Sequence, residues 1–199
     1  MVKVSQTELI QGAIAGRAVS FPTDTVPALA SKPEQAKLIF QLKQRPDSKP
    51  LILMGASIAE LLSYTVYTSE ELAVWRKLID QYLPGALTLI LPASPKVPAV
   101  INPTNSNTVG IRIPKHPVAL EILKETGVLA TSSANLSGND ALTTMEAINQ
   151  EFPAVLVLEG ADLSSKTKIA SGLPSTIVCW QNQKWQILRQ GSVTIKSLN

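Results

Sequence analysis

Three cations, Lys43, Arg45 and Lys49, fall within seven residues of one another, and the apolar run Leu51-Ile52-Leu53-Met54 follows directly. Pro46 and Pro50 stop the helical pattern in which Leu38, Ile39 and Leu42 share a face, so the charge sits on a stiff connection between a helix and a buried strand. Positive charge fixed at the edge of a sheet suits a phosphate or carboxylate ligand. The same charge could instead offset the negative end of its helix. A second polar group, Thr131-Ser132-Ser133-Ala134-Asn135-Leu136-Ser137-Gly138, follows the short strand Val128-Leu129-Ala130 and offers four hydroxyls and an amide at a strand end, where open α/β sheets bind ligands. Those hydroxyls could also serve turns in their own backbone. Arg112 interrupts the apolar strand Val109 to Ile113, and alternation turns it away from Ile111 and Ile113, either to solvent or into a cleft where an anion meets it. Pro22-Thr23-Asp24-Thr25 adds two hydroxyls and a carboxylate after a strand at Ala18 to Phe21.

These residues hold anions, and other chemistries lack their parts. One histidine, His116, and one cysteine, Cys179, share no metal-ligand spacing and allow no internal disulfide. His116 precedes Pro117 and reads as a helix cap rather than as the base of a serine hydrolase. Neither a P-loop nor a Gly-x-Gly-x-x-Gly turn is present. A set of cations and hydroxyls with no obvious nucleophile or general base fits a reaction between ligands that the protein holds in place.

The elements that must position this set read as alternating helices and strands. A helix over 7–15 ends at Gly16, and Pro33 opens the helix that leads to the cations. Thr68 and Glu71 have capping-box spacing for a helix to about Tyr82, with Trp75, Leu78 and Ile79 as its apolar stripe. Strands follow at Leu87 to Leu91 and at Val109 to Ile113, then a helix from Pro117 to about Glu125. Thr143 and Glu146 repeat the capping-box spacing before a helix to Gln150, and Val155 to Leu158 reads as a strand. Residues 159–172 read as a mobile loop, and the strands Ser175 to Trp180 and Trp185 to Leu188 form a closing hairpin over Gln181-Asn182-Gln183. With 199 residues, 45% hydrophobic and 17% charged, the chain fits one domain over 1–199, its ordered core about 5–191. The pattern predicts an α/β fold, an open twisted mixed sheet with flanking helices. A net charge of +3 and a pI near 9.0 permit nucleic-acid or nucleotide contact without requiring it. No leader pattern is visible, and prolines 92, 95 and 98 break the most apolar stretch, so we expect a cytoplasmic protein without a membrane span.

Taken together, Pro22-Thr23-Asp24-Thr25-Val26, Lys43-Gln44-Arg45-Pro46 with Lys49-Pro50-Leu51-Ile52, Pro84-Gly85, Val109 to Pro114, Ser133-Ala134-Asn135-Leu136-Ser137-Gly138, Ser175-Thr176-Ile177-Val178 and Arg189-Gln190-Gly191 resemble the YrdC-type threonylcarbamoyl-adenylate synthases over nearly the whole chain. No single piece is specific, but the paired Lys-x-Arg and Ser-x-Asn, here Lys43/Arg45 and Ser133/Asn135, together with the other five pieces is hard to obtain by chance. The resemblance implies a YrdC-like domain with a basic concave surface. It implies a nucleotidyltransferase that combines L-threonine, bicarbonate and ATP into threonylcarbamoyl-AMP and pyrophosphate for the t6A modification of transfer RNA. ATP is then a substrate, magnesium comes bound through the nucleotide, and the product passes to the tRNA threonylcarbamoyl-transfer proteins. Contact with tRNA or double-stranded RNA is also implied, and an RNA binder without synthase activity is the alternative. On this resemblance Lys43, Arg45, Ser133 and Asn135 form the catalytic set. ATP falls on Arg45, Lys49, Thr108, Ser133 and Arg189, and threonine on Thr25, Arg112, Thr131 and Ser175. The chain departs from the family at Pro27-Ala28, Met54, Pro174, Cys179 and Ala141, positions that bear on threonine selectivity more than on nucleotide binding. Longer members carry a further C-terminal domain, and on this resemblance none is expected in the few residues after Gly191.

Overall fold

Alternation of side chains along the strands decides how this chain is layered, because each strand has one set of residues for a helix-covered face and one set left over. The computed structural model describes residues 3–46, 48–104, 107–160 and 171–196. In chain order the elements are β1 (Lys3–Val4), α1 (Gln6–Ile14), β2 (Val19–Phe21), β3 (Ala28–Ser31), α2 (Lys37–Lys43), β4 (Ile52–Met54), α3 (Ile58–Leu62) and α4 (Ser69–Tyr82). Then come β5 (Leu87–Pro92), β6 (Thr108–Arg112), α5 (Pro117–Thr126), β7 (Leu129–Ser133), α6 (Met145–Glu151), β8 (Leu156–Leu158), β9 (Thr176–Gln181) and β10 (Lys184–Arg189).

The strands form one sheet in the order β1-β8-β2-β3-β7-β4-β6-β5-β9-β10. The β1–β8, β2–β8, β4–β6 and β5–β9 pairs are parallel and the others antiparallel, so the sheet is mixed and open, as its sequence pattern predicts. On one face Leu53, Leu87, Leu89, Ile111, Ala130 and Val178 pack with Ile39 and Phe40 of α2, Trp75, Leu78 and Ile79 of α4, and Ile148 of α6. On the other, Leu9 and Ala13 of α1 and Ala119, Ile122 and Leu123 of α5 cover Val19, Phe21, Ala28, Ala30 and Leu156. Of these two helices α1 contacts β1, β2 and β8 and packs against α5, and among the described residues no helix of this cluster covers β5, β6 or β9 on the second face. The site lies there.

Several elements differ from the sequence pattern. β3 escapes it because its four residues are buried on both sides and show no alternation. Thr131, Ser132 and Ser133 are not loop residues: they extend β7, held opposite Ala30, Leu29 and Ala28 of β3. His116 occupies the N-cap position of α5 but makes no side-chain cap bond. Asn182 and Gln183 turn the last hairpin with positive φ, the geometry of a two-residue primed turn. Residues 161–170 of the expected 159–172 loop lie outside the described residues.

The α4 capping box forms in full, with Glu71 N bonded to Thr68 Oγ1 at 3.2 Å and Thr68 N to Glu71 Oε2 at 3.0 Å. At α6 the cap is Thr144, whose Oγ1 accepts from Ala147 N at 3.2 Å, and not Thr143. Thr68→Ala and Thr144→Ala should each cost about 1 kcal/mol in urea unfolding at an unchanged m value, while Thr143→Ala stays within about 0.5 kcal/mol of wild type.

Candidate active site

The uncovered part of the sheet forms a cavity of about 220 Å³. Its floor consists of the residues that alternate with the core: Ile52 beside Leu53, Thr88 between Leu87 and Leu89, Arg112 after Ile111, Thr131 after Ala130, and Ile177 before Val178. All four residues expected to hold threonine, Thr25, Arg112, Thr131 and Ser175, lie on its wall with Arg45, Ser133 and Arg189. Lys43, Lys49, Thr108 and Asn135 do not line it. Thr108 instead accepts from Asn102 Nδ2 at 3.0 Å, and Lys49 is exposed on the connection beyond Arg45.

Arg112 is only 4% exposed and is held from several sides. Its Nη2 pairs with Asp24 Oδ1 at 2.6 Å, Nη1 donates to Thr25 Oγ1 at 2.9 Å and Nε to the Gly85 carbonyl at 3.1 Å. Burial pushes its pKa down and Asp24 opposes that drop. Asp24 is therefore the anion that meets Arg112 in this structure. Sequence reasoning noted the carboxylate without linking it to a strand 88 residues away. His116 lies near the same carboxylate: burial lowers its pKa, and Asp24 raises it.

Lys43 differs most from the sequence reading. It is fully buried, and its Nζ donates to the carbonyls of Ser133 and Asn135 and to Asn135 Oδ1. Ser137 N returns a bond to the Lys43 carbonyl at 3.0 Å. The Lys-x-Arg and Ser-x-Asn motifs thus meet through one ammonium, which fastens the end of α2 to the chain after β7. Gln44 ends α2 in the left-handed region at φ 48°, a turn that sends Arg45 away from the helix axis. Arg45 then spends its Nε and Nη2 on the Lys49 and Pro50 carbonyls at 2.7 and 2.8 Å. That leaves its Nη1–Nη2 edge for a ligand.

Arg189 reaches the cavity through a bulge. The β9–β10 register pairs Ile187 with Val178 and then Arg189 with Ile177, so the bulge puts the guanidinium, and not Leu188, opposite the cavity residue Ile177. Its Nη2 donates to the Ser175 carbonyl at 2.8 Å, and Ser175 Oγ lies 2.8 Å from Thr88 Oγ1. Gly191 permits this packing: a Cβ there would sit 2.2 Å from the Pro174 carbonyl oxygen. Thr88 and Ile177 were missed as site residues, although their places between buried leucines and before Val178 carried the same signal that singled out Arg112.

The Sua5/YciO/YrdC family profile, described as telomere recombination, matches residues 13–191. This chain belongs to the Sua5/YciO/YrdC family. A threonylcarbamoyl-AMP synthase of Bacillus subtilis is 33% identical over 180 residues, covering 88% of this chain and 50% of the relative. One of Hydrogenovibrio crunogenus is 34% identical over 154 residues, 73% of this chain and 80% of the relative. The crystal structure of Pyrococcus abyssi Sua5 complexed with L-threonine superposes with a TM-score of 0.81 at 30% identity, covering 95% of this chain and 55% of that one. The chain thus spans about half the length of the Bacillus and Pyrococcus proteins.

Within this Sua5/YciO/YrdC fold, Pro27, Ala28, Met54 and Pro174 all line the cavity, so four of the positions at which the sequence reading expected departures from the family pattern fall on its wall. Lys43 makes the site's interior sensitive to pH. Burial, reinforced by Arg45 and Lys49, pushes its pKa from 10.5 down to about 7. Between those values the unfolded chain binds more protons than the folded one, so stability should rise with pH across that window. Lys43→Met should flatten this slope while lowering stability overall, because the Ser133 and Asn135 carbonyls lose their donor. Urea unfolding of both proteins from pH 6 to 10 checks this, and equal slopes would refute it.

Proposed function

We propose that this chain forms threonylcarbamoyl-AMP and pyrophosphate from L-threonine, bicarbonate and ATP. The observation that carries the reading is the cavity itself, in which one buried arginine stands among hydroxyls inside and two further arginines stand at the wall. The activity named for the relatives and the threonine complex of Pyrococcus Sua5 support it. The cavity is smaller than the roughly 300–1,000 Å³ of sites that enclose a drug-sized ligand. Threonine fits inside, and the nucleotide extends from it past Arg45.

Arg112 takes the threonine carboxylate, with Thr25, Thr131 and Ser175 beside it. Bicarbonate supplies carbon dioxide with loss of water. The neutral threonine amine bonds to that carbon and loses a proton, which the hydroxide left by bicarbonate takes up to become that water. A carbamate oxygen attacks the α-phosphorus while the bond to the β-phosphate oxygen breaks and pyrophosphate leaves. The free guanidinium edges of Arg45 and Arg189 stabilise the charge that gathers on the phosphates. The protein contributes position and charge, not a nucleophile of its own. Magnesium would arrive with the nucleotide: no group of three or more His, Cys, Asp or Glu among the described residues could hold a metal, and Asp24 is committed to Arg112. We assign it no step.

No helix among the described residues is long and apolar enough to cross a membrane. We place the reaction in the cytoplasm, with the product passing to the proteins that modify tRNA. Incubating the protein with ATP, magnesium, bicarbonate and labelled threonine should yield the adenylate and pyrophosphate only when all three substrates are present. Pyrophosphate release without threonine would overturn the reading. Arg45→Lys should lose activity nearly as badly as Arg45→Ala, about 2–4 kcal/mol in kcat/KM, because lysine cannot hold the Lys49 and Pro50 carbonyls and still present a two-pronged edge.

A further inference from the structure

Two hydroxyls of this cavity, those of Ser133 and Thr25, have a fixed polarity. Asn135 donates through Nδ2 to the Leu136 and Asn139 carbonyls at 2.7 and 2.8 Å. Only an NH₂ group can satisfy two carbonyls, so Oδ1 is the atom that faces Ser133 and Lys43. Ser133 Oγ donates to that oxygen at 2.5 Å. Its proton is consumed inside the protein, and what remains for the cavity is an oxygen lone pair. Thr25 is wired alike. Thr23 Oγ1 donates to the Val26 carbonyl at 2.7 Å, so in the 3.1 Å contact between the two hydroxyls Thr25 is the donor, while Thr25 Oγ1 accepts from Arg112 at 2.9 Å. The arginines supply the site's donors, and these two hydroxyls supply acceptors.

We propose that Ser133 binds a hydrogen-bond donor of the ligand, an N–H or O–H group, and not a phosphate oxygen, with Asn135 as the positioning residue that turns the hydroxyl that way. An ionised phosphate oxygen carries only lone pairs and has nothing to offer an acceptor. The inference rests on the proposed function, which places two sources of donors in the cavity: the nitrogen and hydroxyl of threonine, and the hydroxyls and amine of the nucleoside.

Calorimetric titration of the full chain at pH 8 without magnesium, using L-threonine, ATP and tripolyphosphate, tests it. Tripolyphosphate reproduces the nucleotide's charge without any donor. Ser133→Ala should weaken threonine or ATP by about 5–10-fold, the worth of one hydrogen bond, and leave tripolyphosphate within about twofold. Loss on threonine puts the donor on the amino acid, and loss on ATP alone puts it on the nucleoside. Asn135→Leu releases the Ser133 proton, so tripolyphosphate should bind as well as before or better while the donor-bearing ligand binds worse. A merely loosened loop would weaken all three alike. Equal losses on tripolyphosphate and ATP in Ser133→Ala, or no loss on any probe, overturn the inference even if the wild-type chain turns over its substrates. A wild-type chain that binds neither threonine nor ATP overturns the proposed function and this inference with it.

Discussion

The ammonium of Lys43 joins the two halves of the site. A fully buried cation is costly even where oxygen surrounds it. The carbonyls of Ser133 and Asn135 and the Asn135 amide oxygen accept from Nζ, yet burial, with Arg45 and Lys49 nearby, still lowers its pKa to about 7. The benefit runs both ways, because those inward-facing carbonyls would otherwise be orphaned in the interior. The consequence is geometric. Arg45 lies two residues beyond the lysine and Ser133 carries one of the carbonyls it holds, so their separation is set by a buried contact rather than by the loops that carry them. Bonds of Arg45 to the Lys49 and Pro50 carbonyls extend this rigidity outward.

The cavity exists because the second face of the sheet is only partly covered. The residues on its open part make the vacancy tolerable: hydroxyls, a glycine and an arginine whose charge is already paired. Gly110, paired with the floor residue Ile52 across the β4–β6 ladder, leaves room for that side chain, since a Cβ there would fall 2.7 Å from Ile52 Cγ2. An unpaired Arg112 at that depth would carry a desolvation penalty of several kcal/mol, and Asp24 offsets it. The site is thus a gap in the layering whose polar lining is satisfied from behind.

How much of this was legible in the chain follows from which signals are local. The helices with caps or apolar stripes, and the strands that alternate, could be read, and Arg112 stood out against its strand. The identities of the charged residues around the proposed phosphate site could be read too, but not their burial. Lys43 looks like a solvent-facing cation at a helix end, yet the buried residues of α2 are Ile39, Phe40 and Lys43. Taking Leu38, Ile39 and Leu42 as the apolar face hid it, whereas the spacing of three and four residues from Phe40 and Ile39 would have placed it inward. Nothing local announces that Asp24 meets Arg112, because the pairing depends on the sheet bringing the turn after β2 to the end of β6. The bulge that turns Arg189 inward is equally silent, since either register of β10 satisfies its alternation.

The charge distribution that results is graded. Arg112 is neutralised by Asp24, Thr25 Oγ1 accepts from it and Ser133 lines the same cavity, so the interior suits a zwitterion whose carboxylate meets the guanidinium and whose nitrogen meets the hydroxyls. Among the described residues no carboxylate pairs with Arg45 or Arg189, whose bonds go to backbone carbonyls and leave their positive charge for a polyanion. A zwitterion gains less from that outer charge than a polyanion does, because its ammonium opposes what its carboxylate gains, and a triphosphate would forfeit it by entering a pocket whose arginine is already paired. On the proposed reading, this gradient keeps the two substrates from exchanging places. It leaves the carbamate and the α-phosphorus to meet at the boundary between the two zones, where Ser133 and Arg45 are held together by the ammonium behind them.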